Sequence, residues 1–192
     1  MMKSEITYFE EAGFKNTVEA LELAKERAIE RGIKTVAIAS IRGGSAGIAL
    51  DIFKGTDIKL IMCTCNACHG CDRFSKDVWK KVKKAGHTVA CTQEDEIPFP
   101  PSAALAYRRI CQGMKVGVQL AMSLADQEIV EEGEDMITVT GTGGKSYGKG
   151  WGLDTAIVIE ATRSDSYWQY EKDMKEHKLH SRKVKEIICM PR

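Results

Sequence analysis

The sequence is short of histidine, of proline and of any excess of charge. Its 28 basic and 27 acidic residues leave a net charge of +1. A nucleic-acid partner therefore lacks global electrostatic support. The runs Lys80-Lys81-Val82-Lys83-Lys84 and Arg182-Lys183-Val184-Lys185 read as solvated faces. The four histidines, His69, His87, His177 and His180, stand beside no Ser-His-Asp or Cys-His partner motif, so no catalytic residue is assigned. No apolar run approaches the ~18 residues of a membrane span. The segment Met1-Met2-Lys3-Ser4-Glu5-Ile6-Thr7 carries no apolar signal core, so a cytoplasmic location is expected. Three of the four prolines fall within residues 93–101, which marks a connector.

What is present fits one folded domain over residues 1–192, with 43% hydrophobic residues to fill a core. Cysteine is plentiful. There are seven, an odd number, and four lie in Cys63-Thr64-Cys65-Asn66-Ala67-Cys68-His69-Gly70-Cys71. That pattern argues for free thiols or a metal site in a reducing compartment, not a disulfide framework. Cys63, Cys65, Cys68 and Cys71 are candidate ligands for zinc or an iron–sulfur cluster. The run Cys65, Cys68, Cys71 copies a ferredoxin spacing without its C-x3-C-P continuation. A redox-active thiol pair with His69 beside Cys68, and a plain cysteine-rich loop, stay open beside the metal reading.

Apolar periodicity predicts an alternation of helices and strands. An extended segment at 8–13 leads to a helix ending at Arg31, with Asn16 and Glu19 as a capping box and Val18, Leu21, Ala24, Ala28 and Ile29 as its apolar stripe. Strands follow at 35–39, 58–63 and 87–91. Helices lie between them at 46–53, capped by Ser45, and up to 85, capped by Ser75, with Val78, Trp79 and Val82 inward. One long helix is expected over 102–127, with Gly113 and Gly117 packing closely on a sheet. Strands at 135–140, 154–160 and 185–190 complete the set, with a weakly helical polar segment at 164–178. The αβαβαβ rhythm implies parallel strands joined by right-handed crossovers.

The chain is organised around Thr35-Val-Ala-Ile-Ala-Ser-Ile-Arg-Gly-Gly-Ser-Ala-Gly-Ile-Ala-Leu50. A buried strand breaks at Arg42, Gly43 and Gly44 and re-forms as a helix. Such a turn aims backbone N–H groups and the positive helix end at one point, which suits a phosphate. Arg42 adds a cation and Ser45 a hydroxyl. The same glycines also suit a tight turn with no ligand. A second glycine-rich loop, Gly141-Thr-Gly-Gly-Lys-Ser-Tyr-Gly-Lys-Gly-Trp-Gly152, is no ATPase P-loop. Val139 stands where that motif needs its first glycine, and a strand follows where a helix should. Gly141, Thr142, Gly143, Gly144 and Lys145 can still wrap a phosphate. Both loops leave carboxyl ends of predicted strands, where open α/β sheets bind ligands.

These stretches resemble the stand-alone relatives of the C-terminal α/β domain of pyruvate kinase. The resemblance rests on Tyr8-Phe9-Glu10-Glu11 with Gly13, Asn16 and Thr17, and on Ala39-Ser40 with Gly43, Ser45 and Ala46. It rests further on Gln112 to Val116 with Ala125-Asp126, on Trp151-Gly152 with Asp154-Thr155-Ala156, and on Ile187-Ile188 with Met190-Pro191-Arg192. It implies an α/β fold, a three-layer α/β/α sandwich with a mixed, mostly parallel five-stranded sheet. It also implies a phosphorylated small-molecule ligand, with FMN the candidate. Ser40, Arg42, Gly43, Gly44, Ser45 and Ala46 would hold the phosphate, Gly141 to Lys145 would close over it, and Asn16, Thr17 and Thr64 lie at the same edge. The kinase's catalytic barrel is absent from this chain, so kinase activity is not implied. Three stretches depart from the family pattern. Thr64 is followed by Cys65-Asn66-Ala67-Cys68-His69 where relatives carry Thr-His-His-Ala-Gly-Phe, the 92–100 segment is shorter, and the second glycine loop is longer by 145–150. Nucleic acid and membrane are not expected partners, and assembly with copies of itself is left open. The alternatives are a metal or cluster protein using the cysteines, or a regulatory ligand-binding module without chemistry.

Overall fold

The computed structural model describes residues 4–65, 70–92, 99–142, 152–168, 175 and 184–192, with the backbone alone at 70 and 71. Its strands are β1 (Thr7–Phe9), β2 (Thr35–Ala39), β3 (Lys59–Cys65), β4 (Thr88–Thr92), β5 (Asp135–Thr140), β6 (Thr155–Glu160) and β7 (Val184–Pro191). Its helices are α1 (Thr17–Arg31), α2 (Gly44–Ile52), α3 (Gly70–Arg73), α4 (Lys76–Lys84), α5 (Pro101–Ile110), α6 (Gln112–Asp126) and α7 (Ser164–Tyr167). The strands form one sheet in the order β1-β7-β6-β5-β2-β3-β4. Strand β6 runs against both neighbours, and every other pairing is parallel.

Each strand shows one set of alternate side chains to each layer. Val36, Ile38, Leu60, Met62, Ile137 and Val139 face α1, α2 and α4. Ala37, Ile61, Met136 and Ile157 face α6. The fold is thus a three-layer α/β/α sandwich with a mixed sheet. Seven strands, not five, make the sheet among the described residues. Strand β1 is only three residues long and is set by its register on β7, Thr7 opposite Cys189. Such a strand carries no readable period. Among the described residues no helix is long and apolar enough to cross a membrane.

Several local expectations change. The single helix over 102–127 is two, because Cys111 is extended at φ −166 and ψ 161. Its sulfur accepts the Met114 N–H at 3.3 Å and caps α6. The α1 capping box does not form. Asn16 instead donates its side-chain amide to the Glu11 carbonyl at 2.6 Å. The buried line of α1 is Ala20, Leu21, Ala24 and Ala28, while Val18 and Ile29 stand 48% and 60% exposed. Both lie roughly 110° around the helix from that line, outside the core stripe. Trp79 is likewise 37% exposed, against its expected inward place. Helix α2 starts at Gly44, not after a Ser45 cap, because Gly43 enters it at φ +92. A left-handed residue there is cheap only as glycine.

Helix α6 lies unusually close to the sheet, as its two glycines suggested. A Cβ built on Gly113 would stand 2.2 Å from Thr155 Oγ1, and one on Gly117 would stand 2.7 Å from Thr138 Oγ1. Thr140 donates its hydroxyl to the Gly113 carbonyl at 2.7 Å. A side chain at 113 forces the helix away and breaks that bond. Gly113→Ala is expected to lower stability by about 2–3 kcal/mol, the cost of overpacking plus a lost buried hydrogen bond. Urea unfolding of the variant checks this.

Candidate functional site

The sheet has a topological switch point between neighbouring strands β2 and β5. From β2 the chain moves on toward β3 and β4; from β5 it turns the other way, to β6 and β7. Ligands bind outside the carboxyl ends of strands at such a point. The two loops singled out by sequence both leave those ends.

In the first loop, Ser40 prolongs the ladder by donating its N–H to the Cys63 carbonyl at 2.8 Å. Its buried hydroxyl accepts the Ala46 N–H at 3.2 Å. Thr64 donates its hydroxyl to the Ile41 carbonyl at 3.1 Å. The Arg42 carbonyl accepts the Ser75 N–H at 3.3 Å. These bonds turn the loop carbonyls back into the protein. The N–H groups of Gly44 and Ser45, at the start of α2, meet no acceptor among the described residues. Arg42 is exposed and makes no ion pair among them. Arg73 and Lys76, exposed just before and within the first turn of α4, add positive charge beside the loop.

The second loop is rooted by a carboxylate. Asp154 is fully buried. It accepts the Gly13 N–H at 2.9 Å, the Thr142 N–H at 2.9 Å and the Thr155 hydroxyl at 3.0 Å. Burial raises its pKa, against the opposing pull of these donors. Beside it, Leu153 donates its N–H to the Thr17 hydroxyl at 3.1 Å. A Cβ on Gly141 would lie 1.8 Å from the Gly152 carbonyl, and one on Gly152 would lie 2.3 Å from the Phe14 Cα. Three chain segments therefore pass backbone against backbone. Gly113, in the first turn of α6, donates its N–H to the Thr142 hydroxyl at 3.4 Å. The amino ends of α1, α2 and α6 all meet this edge, and each brings positive potential.

The edge thus collects Ser40, Arg42, Gly43, Gly44, Ser45, Ala46, Thr64, Gly141 and Thr142. Asn16 and Thr17 belong to the scaffold beneath the second loop, since their side chains bond Glu11 and Leu153. Gly143, Gly144 and Lys145 lie outside the described residues, as does Cys68; so does the side chain of Cys71. Cys63 is buried on the α6 face and donates its thiol to the Ile61 carbonyl at 3.4 Å. Cys65 stands two residues on, half-buried. Among the described residues no three His, Cys, Asp or Glu side chains gather as a metal site. Cys63, Cys65, Cys111 and Cys189 form no disulfide. Cys91 is disulfide-bonded, which departs from the expectation of free thiols or a metal site in place of disulfides. Burial pushes the Cys189 thiol up to about 12, so it is inert.

Sequence reasoning missed Asp154, Gly13 and Cys111. Asp154 had a signal: a lone acid between Leu153 and Thr155-Ala156-Ile157-Val158, where a charge is buried only if it is held. Gly13 had only its place in the resembling stretch, since its partner Asp154 stands 141 residues away, and Cys111, which caps α6 through Met114, had none.

No protein-family model matches the chain. Among solved structures it is similar to a Cryptosporidium parvum pyruvate kinase in complex with ADP, at 19% identity and a TM-score of 0.43, over 76% of this chain and 24% of that one. A second pyruvate kinase structure from the same organism gives 14% identity and a TM-score of 0.41, over 76% and 23%. A cystathionine beta-synthase from Bacillus anthracis gives 22% identity and a TM-score of 0.26, over 47% and 33%. The chain spans about a quarter of the length of the pyruvate kinase chains it matches.

The raised pKa of Asp154 has a definite sign in stability. A raised acid contributes most below its unfolded value, and that contribution is lost as pH rises through its folded value. Relative to Asp154→Asn, the wild-type protein is expected to lose stability as pH climbs from the ordinary aspartate value of 3.8 through the raised one. Urea midpoints of both proteins across that range give the slope.

Proposed function

We propose that the chain binds a phosphorylated small molecule at the β2–β5 switch point, with FMN the first ligand to test. One observation carries the reading. Among the described residues the Gly44 and Ser45 N–H groups meet no acceptor at the amino end of α2, beside Arg42, which makes no ion pair among them. Two backbone donors, a helix end and a guanidinium make a site for a phosphate dianion. In this reading Ser45 adds its hydroxyl. Gly43 sets the approach, while Ser40, Ala46 and Thr64 hold the loop in shape. Gly141 and Thr142 stand across the switch point at the end of β5, and the sequence alone offers Gly143, Gly144 and Lys145 as the part that closes over the ligand. The donor set suits the phosphate end of FMN as it suits any phosphate monoester. The role is binding, with no reacting group assigned.

Thermal unfolding with inorganic phosphate, FMN and riboflavin tests this. Ligand at about 100 times its Kd is expected to add about 2.7 kcal/mol and raise the Tm by several degrees. Phosphate and FMN are expected to stabilise the wild-type protein and to lose at least about tenfold in affinity in Arg42→Glu, where an attraction becomes a repulsion. Riboflavin binding as tightly as FMN excludes the phosphate subsite as the anchor. No effect of phosphate or any phosphate ester excludes the reading itself.

A further inference from the structure

The outer layer formed by α1, α2 and α4 carries two charged faces of opposite sign. Helix α2 lies between the other two and packs on both. Helix α1 presents Glu19, Glu22, Glu26 and Glu30 to solvent. Glu30 pairs with Arg27 at 3.0 Å. Glu19, Glu22 and Glu26 make no ion pair among the described residues. Helix α4 presents Lys76, Lys80, Lys83 and Lys84, also without partners among them, with Asp77 and Lys81 on its flank. Each charged face has an apolar border: Val18 and Ile29 on α1, 48% and 60% exposed, and Trp79 on α4, 37% exposed. The stripes cannot meet within one chain because α2 stands between them.

Helix α2 itself lacks the polar coat of an outer helix. Its sequence, Gly44-Ser-Ala-Gly-Ile-Ala-Leu-Asp-Ile52, holds one charge. Buried Ala46 and Ala49 mark its inner side and Ile48 still packs on the core, so Gly44, Gly47 and Asp51 stand on its outward side. A Cβ built on Gly44 or on Gly47 would meet nothing within 4 Å among the described residues. Packing inside the chain therefore does not require glycine at 47, and glycine within a helix costs stability relative to alanine. A ridge of small residues lets another helix backbone come close.

We propose that this face is the interface of a two-fold dimer of the chain, with α1 of each copy lying over α4 of the other. A two-fold axis along α2, in the plane between the copies, exchanges the two ends of the layer. It sets each acidic face on a basic one twice, and it lays ridge against ridge along α2. Oligomers of one chain most often close in this isologous way. The complementary partner is a second copy of the chain, whose net charge of +1 hides two stripes of opposite sign. Trp79 is the apolar anchor, set against the exposed face of α1 of the other copy. Exposed charge pairs are salt-sensitive, and screening shortens their reach from about 10 Å at 0.1 M salt to about 3 Å at 1 M.

Sedimentation of the full chain across concentration, at low and high salt, tests this. The expected mass is twice 21.3 kDa, with a dissociation constant that rises with salt. The double variants Lys80→Glu with Lys83→Glu, and Glu22→Lys with Glu26→Lys, are each expected to weaken the dimer at least about tenfold. All four changes in one chain restore it. Gly47→Lys is expected to keep its helical circular dichroism and Tm while running as a monomer. A wild-type chain that stays monomeric at every concentration overturns the proposal. So does a dimer indifferent to these variants, and so does a monomer whose α4 lysines capture heparin instead. The outcome is independent of phosphate binding, which the same variants are expected to leave unchanged.

Discussion

Burying the Asp154 carboxylate sets the terms for the edge where the two glycine loops leave the sheet. Taking such a group out of water costs several kcal/mol. No cation among the described residues offsets it. Three donors do, two backbone N–H groups and one hydroxyl. Each bond to a charged group contributes about 1.5–3 kcal/mol, so the set roughly balances the desolvation. The residual imbalance shows in the raised pKa, where burial still outweighs the donors. The donors come from Gly13, Thr142 and Thr155, so satisfying one charge brings three distant segments to one place.

That convergence explains why the two glycine loops face a common edge. Six of the seven strands run one way, and the helices that enter them begin at their carboxyl ends. The amino ends of α1, α2 and α6 therefore gather where β2 and β5 part. Donors of the first loop that serve structure are already bonded, as Ala46 is to Ser40. Those of Gly44 and Ser45 meet no acceptor among the described residues.

The two outer layers meet the sheet differently. On one side α6 presses down through Gly113 and Gly117, and their lack of a side chain is answered by Thr155 and Thr138. On the other side Gly47 has no such answer among the described residues. Its neighbours α1 and α4 turn opposite charges outward instead. On that face Glu186 of β7 is held by Arg27 and Arg31 of α1, at 3.0 Å from Arg31. The buried ion pairs tie α1 to the sheet and leave its other acids facing solvent.

Strands 35–39 and 135–140 and the turn at Arg42-Gly43-Gly44 were legible because their information is local. Continuous β-branched runs mark buried parallel strands, and paired glycines mark a break. The three-layer class followed from the alternation of such segments. Strand β1, the break at Cys111 and the outward turn of Val18, Ile29 and Trp79 were not legible. Each depends on which surface the segment meets, and no period within a short window records that. The sequence by itself determined the glycine turn and its place after β2. Only the tertiary structure decided which of its N–H groups stay unpaired and that Asp154 roots the second loop, because both depend on partners far along the chain.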